Sequence, residues 1–174
     1  NSIGNIYSNQ KNLEKSLEYR KKALKIAEEL KNKARITMCL NNLGIYYFET
    51  NNPKAMDCFQ KVLVNGEELH EPLFVFGALE KIGNIYENQG DFVKAMNYYQ
   101  KALKVIEKNG MKASSSLALY YIGRVCLKQK KYTEALRYSL RSLDNSIQFE
   151  QQKEIKRQLS EIYAAIGDYK KAYT

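Results

Sequence analysis

The chain has 174 residues, 44% of them apolar, enough to fill a sizeable core. Its apolar residues never form a run near the roughly 20 needed to span a bilayer. Two prolines and nine glycines, beside abundant Leu, Ala, Lys, Glu and Tyr, point to an all-helical protein, and a net charge of +9 raises the question of nucleic acid.

The first long predicted helix answers that question. Nine of the 28 basic residues lie between Lys11 and Arg35, but Glu14, Glu18, Glu28 and Glu29 are interleaved with them. Spacings such as Glu14–Glu18–Lys22 and Lys21–Lys25–Glu29 predict a solvated helix face with i,i+4 pairing. Neither an aromatic platform for single strands nor a groove-reading motif accompanies the charge. A nucleic-acid-associated basic repeat protein therefore stays a rival reading, and no nucleic acid is expected.

Along the chain, apolar residues recur at i, i+3, i+4 and i+7, the signature of amphipathic helices. They predict helices in pairs at 2–9 and 12–31, 34–49 and 54–69, 73–89 and 92–108, 113–129 and 132–149, then 152–166 and 169–174. Pro53 and Pro72 suit the first turns of their helices. Asn109-Gly110 marks a turn. In Ile82 to Leu103, Gly90 ends one helix and Asp91 is placed to cap the next. Small residues at Gly83, Ala95 and Ala102 allow close approach there, with Ile82, Tyr86, Phe92 and Tyr99 filling the space between.

The pairs are copies of one unit. Gly4, Gly44, Gly83 and Gly123 recur at intervals of 40, 39 and 40 residues, in the phrases SIGNIY, NLGIYY, KIGNIY and YIGRVC. Ser160 holds the glycine slot in a fifth copy, QLSEIYAAIGDYKKA. Small residues follow at Ser16, Ala55, Ala95, Ala135 and Ala172, and again at Ala23, Val62, Ala102 and Ser142. The copies divide the chain at about 1–32, 33–71, 72–111, 112–150 and 151–174. Both ends cut across a copy, so the array reads as a fragment of a longer protein. Ile3, Ile6, Tyr169 and Tyr173 would then need flanking sequence or end-to-end self-association to cover them.

The phrases LGIYY, ENQGDFVKAMNYYQKAL and AAIGDYKKA resemble the tetratricopeptide repeat family over essentially the whole chain. Ser16, Val62, Cys126, Ser142 and Ser160 depart mildly from its pattern. The spacing of about 40 is similar to the family's longer-helix members, and the ending LSEIYAAIGDYKKAY to sensor regions of bacterial histidine kinases and transcription regulators. The resemblance implies a right-handed α-solenoid of helix-turn-helix repeats whose first helices line a concave groove. It implies a non-catalytic scaffold for a protein or peptide partner, with neither cofactor nor membrane contact. A self-associating structural array is the other alternative.

In that groove the facing residues lie six and three before the glycine slot, and one, four and five after it. The resulting contact set includes Asn5, Asn41, Phe48, Glu80, Asn84, Glu87, Asn88, Tyr120, Arg124, Lys128 and Arg157. This gives an acidic, amide-rich middle and a basic C-terminal part. Asparagines can hold a peptide main chain, and Arg124 and Arg157 offer bidentate geometry to an acidic group. Asn5, Asn42 and Lys81 also fall at slots of the carboxylate clamp of chaperone-binding members. Asn1 and Gly77 occupy its two remaining basic slots, so that clamp is incomplete.

No chemistry emerges elsewhere. Cys39, Cys58 and Cys126 lie in helical, apolar stretches without metal-site spacing. As unpaired buried thiols they favour a cytoplasmic setting, with a periplasmic sensor region as the alternative. His70 reads as a solvated residue at a helix end. Ser114–Ser116 read as a helix start rather than a nucleophile, because no base accompanies them. Glu80 and Glu87 are too far apart along one helix, roughly 10 Å, to act as a catalytic pair.

Overall fold

The computed structural model describes residues 13–172. Among these residues the regular structure is nine helices and no strand: α1 (Leu13–Glu29), α2 (Lys33–Glu49), α3 (Lys54–Glu68), α4 (Pro72–Asn88), α5 (Phe92–Lys108), α6 (Lys112–Lys128), α7 (Tyr132–Asn145), α8 (Phe149–Ala165) and α9 (Tyr169–Ala172). The all-helical expectation holds. The helix expected at 2–9 and the groove residue Asn5 lie outside the described residues. The chain divides into two compact units, residues 1–82 and 83–174, with the boundary inside α4.

Local chemistry sets the helix limits. Asn32 and Asp91 accept hydrogen bonds from the amides of Arg35 and Lys94, both at 3.0 Å, so each caps the helix that follows it. Pro72 opens α4, and Pro53 precedes α3 with φ −60°, already helical. The turns after the helices recur every twenty residues or so. Gly90 and Gly110 take positive φ there, but so do Lys31, Asn51, His70 and Lys130.

One boundary departs from the pattern. The periodicity predicts a helix at 132–149 followed by one starting at 152, whereas α7 stops at Asn145 and α8 starts at Phe149. Ser146 is extended, with ψ 129°. Its carbonyl accepts from Gln152 Nε2 at 2.8 Å and its hydroxyl donates to Gln151 Oε1 at 3.2 Å, which stabilises the break. The serine run also differs from expectation. Since α6 starts at Lys112, Ser115 and Ser116 are buried in its body. Ser116 and Ser142 exchange hydroxyl-to-carbonyl bonds, each 2.7 Å long, tying α6 to α7.

The core of each unit forms where paired helices approach at the glycine slot. In the first unit, a Cβ on Gly44 would stand 2.8 Å from the Phe59 ring. In the same unit Leu40, Val62 and Ala78 form a buried cluster, joined by Leu24, Ile36, Leu63 and Phe74. In the second unit, a Cβ on Gly83 would come within 2.5 Å of the wholly buried Tyr99 ring. Here hydrogen is the only substituent that fits. The basic face of α1 is solvated and internally paired as expected, with Lys22–Glu18 at 2.6 Å and Lys25–Glu29 at 3.9 Å.

These contacts give a paired test. Gly83→Ala should cost about 1–3 kcal/mol in urea denaturation, because the Tyr99 ring must move. A methyl added at Gly77 meets nothing within 4 Å. Gly77→Ala should therefore raise stability by about 0.5–1 kcal/mol through helix propensity alone.

Candidate binding site

The second unit gathers most of the expected groove residues. Asn84 and Glu87 are one turn apart near the end of α4, and Arg124 and Lys128 are one turn apart near the end of α6. Arg124 grips Glu87 with two bonds, Nε to Oε1 at 2.9 Å and Nη2 to Oε2 at 2.7 Å. Nη2 also donates to Asn84 Oδ1 at 3.2 Å. Lys128 Nζ adds a contact to Glu87 Oε1 at 2.7 Å. The hydroxyl of Tyr99 in α5 reaches Glu87 Oε2 at 2.7 Å and Asn84 Oδ1 at 2.6 Å. Its one hydrogen serves one acceptor at a time, and the carboxylate is the stronger.

The guanidinium completes its surroundings by packing over aromatic rings. It lies 4.7 Å from the Tyr121 centroid and 5.6 Å from that of Tyr120, while Tyr121 stacks on Tyr99 at 5.2 Å. Burial by itself would raise the Glu87 carboxyl, but hydrogen bonds from Arg124 and Lys128 outweigh it and hold the group below its ordinary value. Burial and the neighbouring Glu87 carboxylate push the Tyr99 hydroxyl well up, so it remains a donor. For Arg124, burial opposes the charge and the bonds to Glu87 reinforce it, with a net rise.

This geometry revises the expected acidic wall. Glu80 and Glu87 are buried, at 5% and 4% exposure, rather than displayed to a ligand. Glu80 pairs with Lys81 at 3.2 Å. Arg124, expected to await an acidic group, already holds one from its own chain. Asn88 is exposed, and in the first unit Asn41 and Phe48 are half-buried. Tyr99, read from sequence as core filler, is a polar member of the site. The signal lay in register: Glu87 follows Gly83 by four residues, and the Tyr99 ring is the one that Gly83 admits.

Beside this cluster, α6 and α8 enclose a cleft of about 180 Å³. Tyr120, Arg124 and Lys128 line one side, and Glu154, Arg157 and Glu161 the other. Arg157 is loosely held, 3.8 Å from Glu154 and 3.6 Å from Glu161, with its side chain 72% exposed.

The repeated hairpin agrees with what comparison with known proteins finds. Residues 1–63 and 74–148 match the tetratricopeptide repeat. The chain belongs to the tetratricopeptide repeat family. It is 31% identical over 105 residues to the heat shock protein sti1 homolog of Schizosaccharomyces pombe, covering 58% of this chain and 16% of that one. It is 28% identical over 97 residues to the regulatory protein RapK of Bacillus subtilis, covering 55% and 26%. The chain thus spans about a quarter or less of either relative.

Solved tetratricopeptide structures share the fold. A signal transduction ATPase with numerous domains and a tetratricopeptide repeat sensor, from Pyrococcus horikoshii, superposes with a TM-score of 0.85 at 22% identity, over 98% of this chain and 28% of that one. A Rap protein complexed with competence and sporulation factor gives 0.73 at 15% identity, over 98% and 58%. No described helix is long and apolar enough to cross a membrane. The three cysteines are buried and free. Burial, helped by the Glu134 carboxylate, pushes the Cys126 thiol up to about 11.

The ion pair predicts an acid-labile second unit. Because Glu87 sits below its ordinary value of 4.5, its contribution to stability is complete above that pH. That contribution is lost as the pH falls through the lower folded-state value. Glu87→Gln should lower stability at pH 7 by roughly 2 kcal/mol, less than for a fully buried pair because Arg124 reaches water. The variant should also flatten the acid limb of urea-denaturation stability measured against pH.

Proposed function

We propose that this tetratricopeptide chain is a scaffold that binds a protein or peptide partner along its first helices, as the sensory or adaptor part of a regulatory protein. One observation carries the reading. Residues at the same inner-face slots of two successive first helices, α6 and α8, converge on one polar cleft, with charged groups of both signs and the Tyr120 ring. Such a surface suits an extended chain, which presents amides to polar walls and side chains to pockets.

The residues divide by how firmly they are held. Lys128 and Arg157, with side chains 46% and 72% exposed, are the contact cations, while Arg124, Asn84 and Glu87 form the frame behind them. Asn88 and Tyr120 add a polar and an aromatic contact, and Asn41 and Phe48 supply the corresponding slots on α2. RapK is a regulatory protein by name, and the Pyrococcus structure carries its repeats as a sensor. Both fit a role in which partner binding biases an attached effector. The buried free thiols fit a reducing compartment.

Panning a displayed random-peptide library against the chain tests this. Peptides that bind should lose about tenfold in affinity on Arg157→Glu and keep it on Arg137→Glu, with helicity unchanged in both. Failure to enrich any peptide, or equal affinity in the two variants, would remove the proposed surface.

A further inference from the structure

The first unit carries a larger cleft on a different set of helices. About 560 Å³ in volume, it runs between α1 and α3, the second helices of two hairpins, with α2 as its floor. That size falls among cavities that hold ligands, roughly 300–1,000 Å³. Its apolar surface comes from Leu24, Ile36, Leu40 and Val64, and Val64 is 52% exposed. Its rim carries Glu28 on α1 with Asp57 and Lys61 on α3. Asp57, Lys61 and Val64 follow at i, i+4 and i+7, one stripe of α3 some 10 Å long, or two helical turns.

The charges on this rim are unbalanced. Among the described residues, Glu28 and Asp57 make no ion pair or side-chain hydrogen bond. The second unit contains the same positions on α5 and α7, and there the acid is satisfied. Glu107 holds the slot of Glu28, Arg141 holds the slot of Lys61, and Arg141 Nη2 meets Glu107 Oε1 at 2.6 Å. This repeat therefore accepts a cation at that point, between its second helices. Lysine is the shorter side chain, and Lys61 leaves Glu28 unmet.

We propose that the α1–α3 cleft docks a short amphipathic helix of a partner protein. The helix seats its apolar residues on Leu24, Ile36, Leu40 and Val64. Its lysine or arginine meets Glu28 and Asp57, where the second unit uses its own Arg141. Two turns of helix match the length of the stripe, and an apolar face laid into a groove between helices is an established recognition mode. The cleft is independent of the polar one between α6 and α8, and takes a basic helix rather than an extended chain.

The test uses a labelled Leu/Lys amphipathic peptide of roughly fourteen residues, long enough to hold a helix, and its Leu/Glu counterpart. The whole 174-residue chain should bind the first saturably and the second at least about tenfold more weakly. Methyl resonances of Leu24, Ile36, Leu40 and Val64 should shift on titration. Glu28→Lys with Asp57→Lys, both surface changes, should weaken the Leu/Lys peptide by about tenfold. Lys61→Arg should weaken it about threefold, by bridging to Glu28 as Arg141 does to Glu107. Arg157→Glu should leave it unchanged. No binding of the Leu/Lys peptide, equal binding of the Leu/Glu peptide, methyl shifts confined to other residues, or indifference to the double charge reversal would each overturn the proposal.

Discussion

Everything in each unit follows from how closely two helices of a hairpin can approach. That distance is fixed where one helix presents a hydrogen and the other a ring. Phe59 lies against Gly44, and Tyr99 against Gly83, so close that even a methyl would collide. With the helices this near, the residues four and five beyond the glycine face the next first helix. Glu87 and Lys128 are such residues, which is why an ion pair forms between α4 and α6. Packing thus comes first, and it dictates where charge can meet charge.

The cluster around Glu87 shows what that order costs and yields. A carboxylate with its side chain 2% exposed would be unstable as an ion without partners. Two bonds from Arg124, one from Lys128 and one from Tyr99 supply them. The bidentate pair and the rings beneath it also fix the guanidinium, whose removal from solvent is offset only by this geometry. An arginine so held is a poor candidate to leave for a ligand. Lys128, with one ion pair at the rim and its ammonium over the Phe92 ring, and Arg157, whose carboxylates stand beyond hydrogen-bonding distance, are far cheaper to redirect.

Much of this was legible in the residues, for physical reasons that also explain the remainder. The glycine period and small-residue slots report close helix approach, so the succession of helices among the described residues, their turn positions and the pairing on α1 could be read off. Slot counting also brought Asn84 and Arg124 together. Burial within a slot was not legible, because period and phase name a face and not its depth. Glu87 and Glu80 share the face of Asn84 but lie under neighbours. The break at Ser146 was hidden for a similar reason. Leu140, Leu143 and Ile147 continue a helical rhythm at i, i+3 and i+7, and only the side-chain bonds of Ser146 and Gln152 end it. Lys31, His70 and Lys130 likewise adopt left-handed backbone at turns where sequence alone would look for glycine.

Repetition also supplies its own controls. Where repeats two and three place a ring against the glycine, repeat four places Ser139 beside Gly123, and Gln158 of α8 enters the space. The hydroxyl of Ser139 and the Oε1 of Gln158 have no hydrogen-bond partner there. A polar, imperfectly satisfied contact replaces an aromatic one, at the same joint where α7 is three residues shorter than α5. Buried polar groups left unpaired lower the cost of local opening. The α7–α8 end of the second unit is thus the softer end, and the α6–α8 cleft lies across it. The cleft therefore has one wall fixed, by Glu87 and Arg124, and the other on a helix that yields.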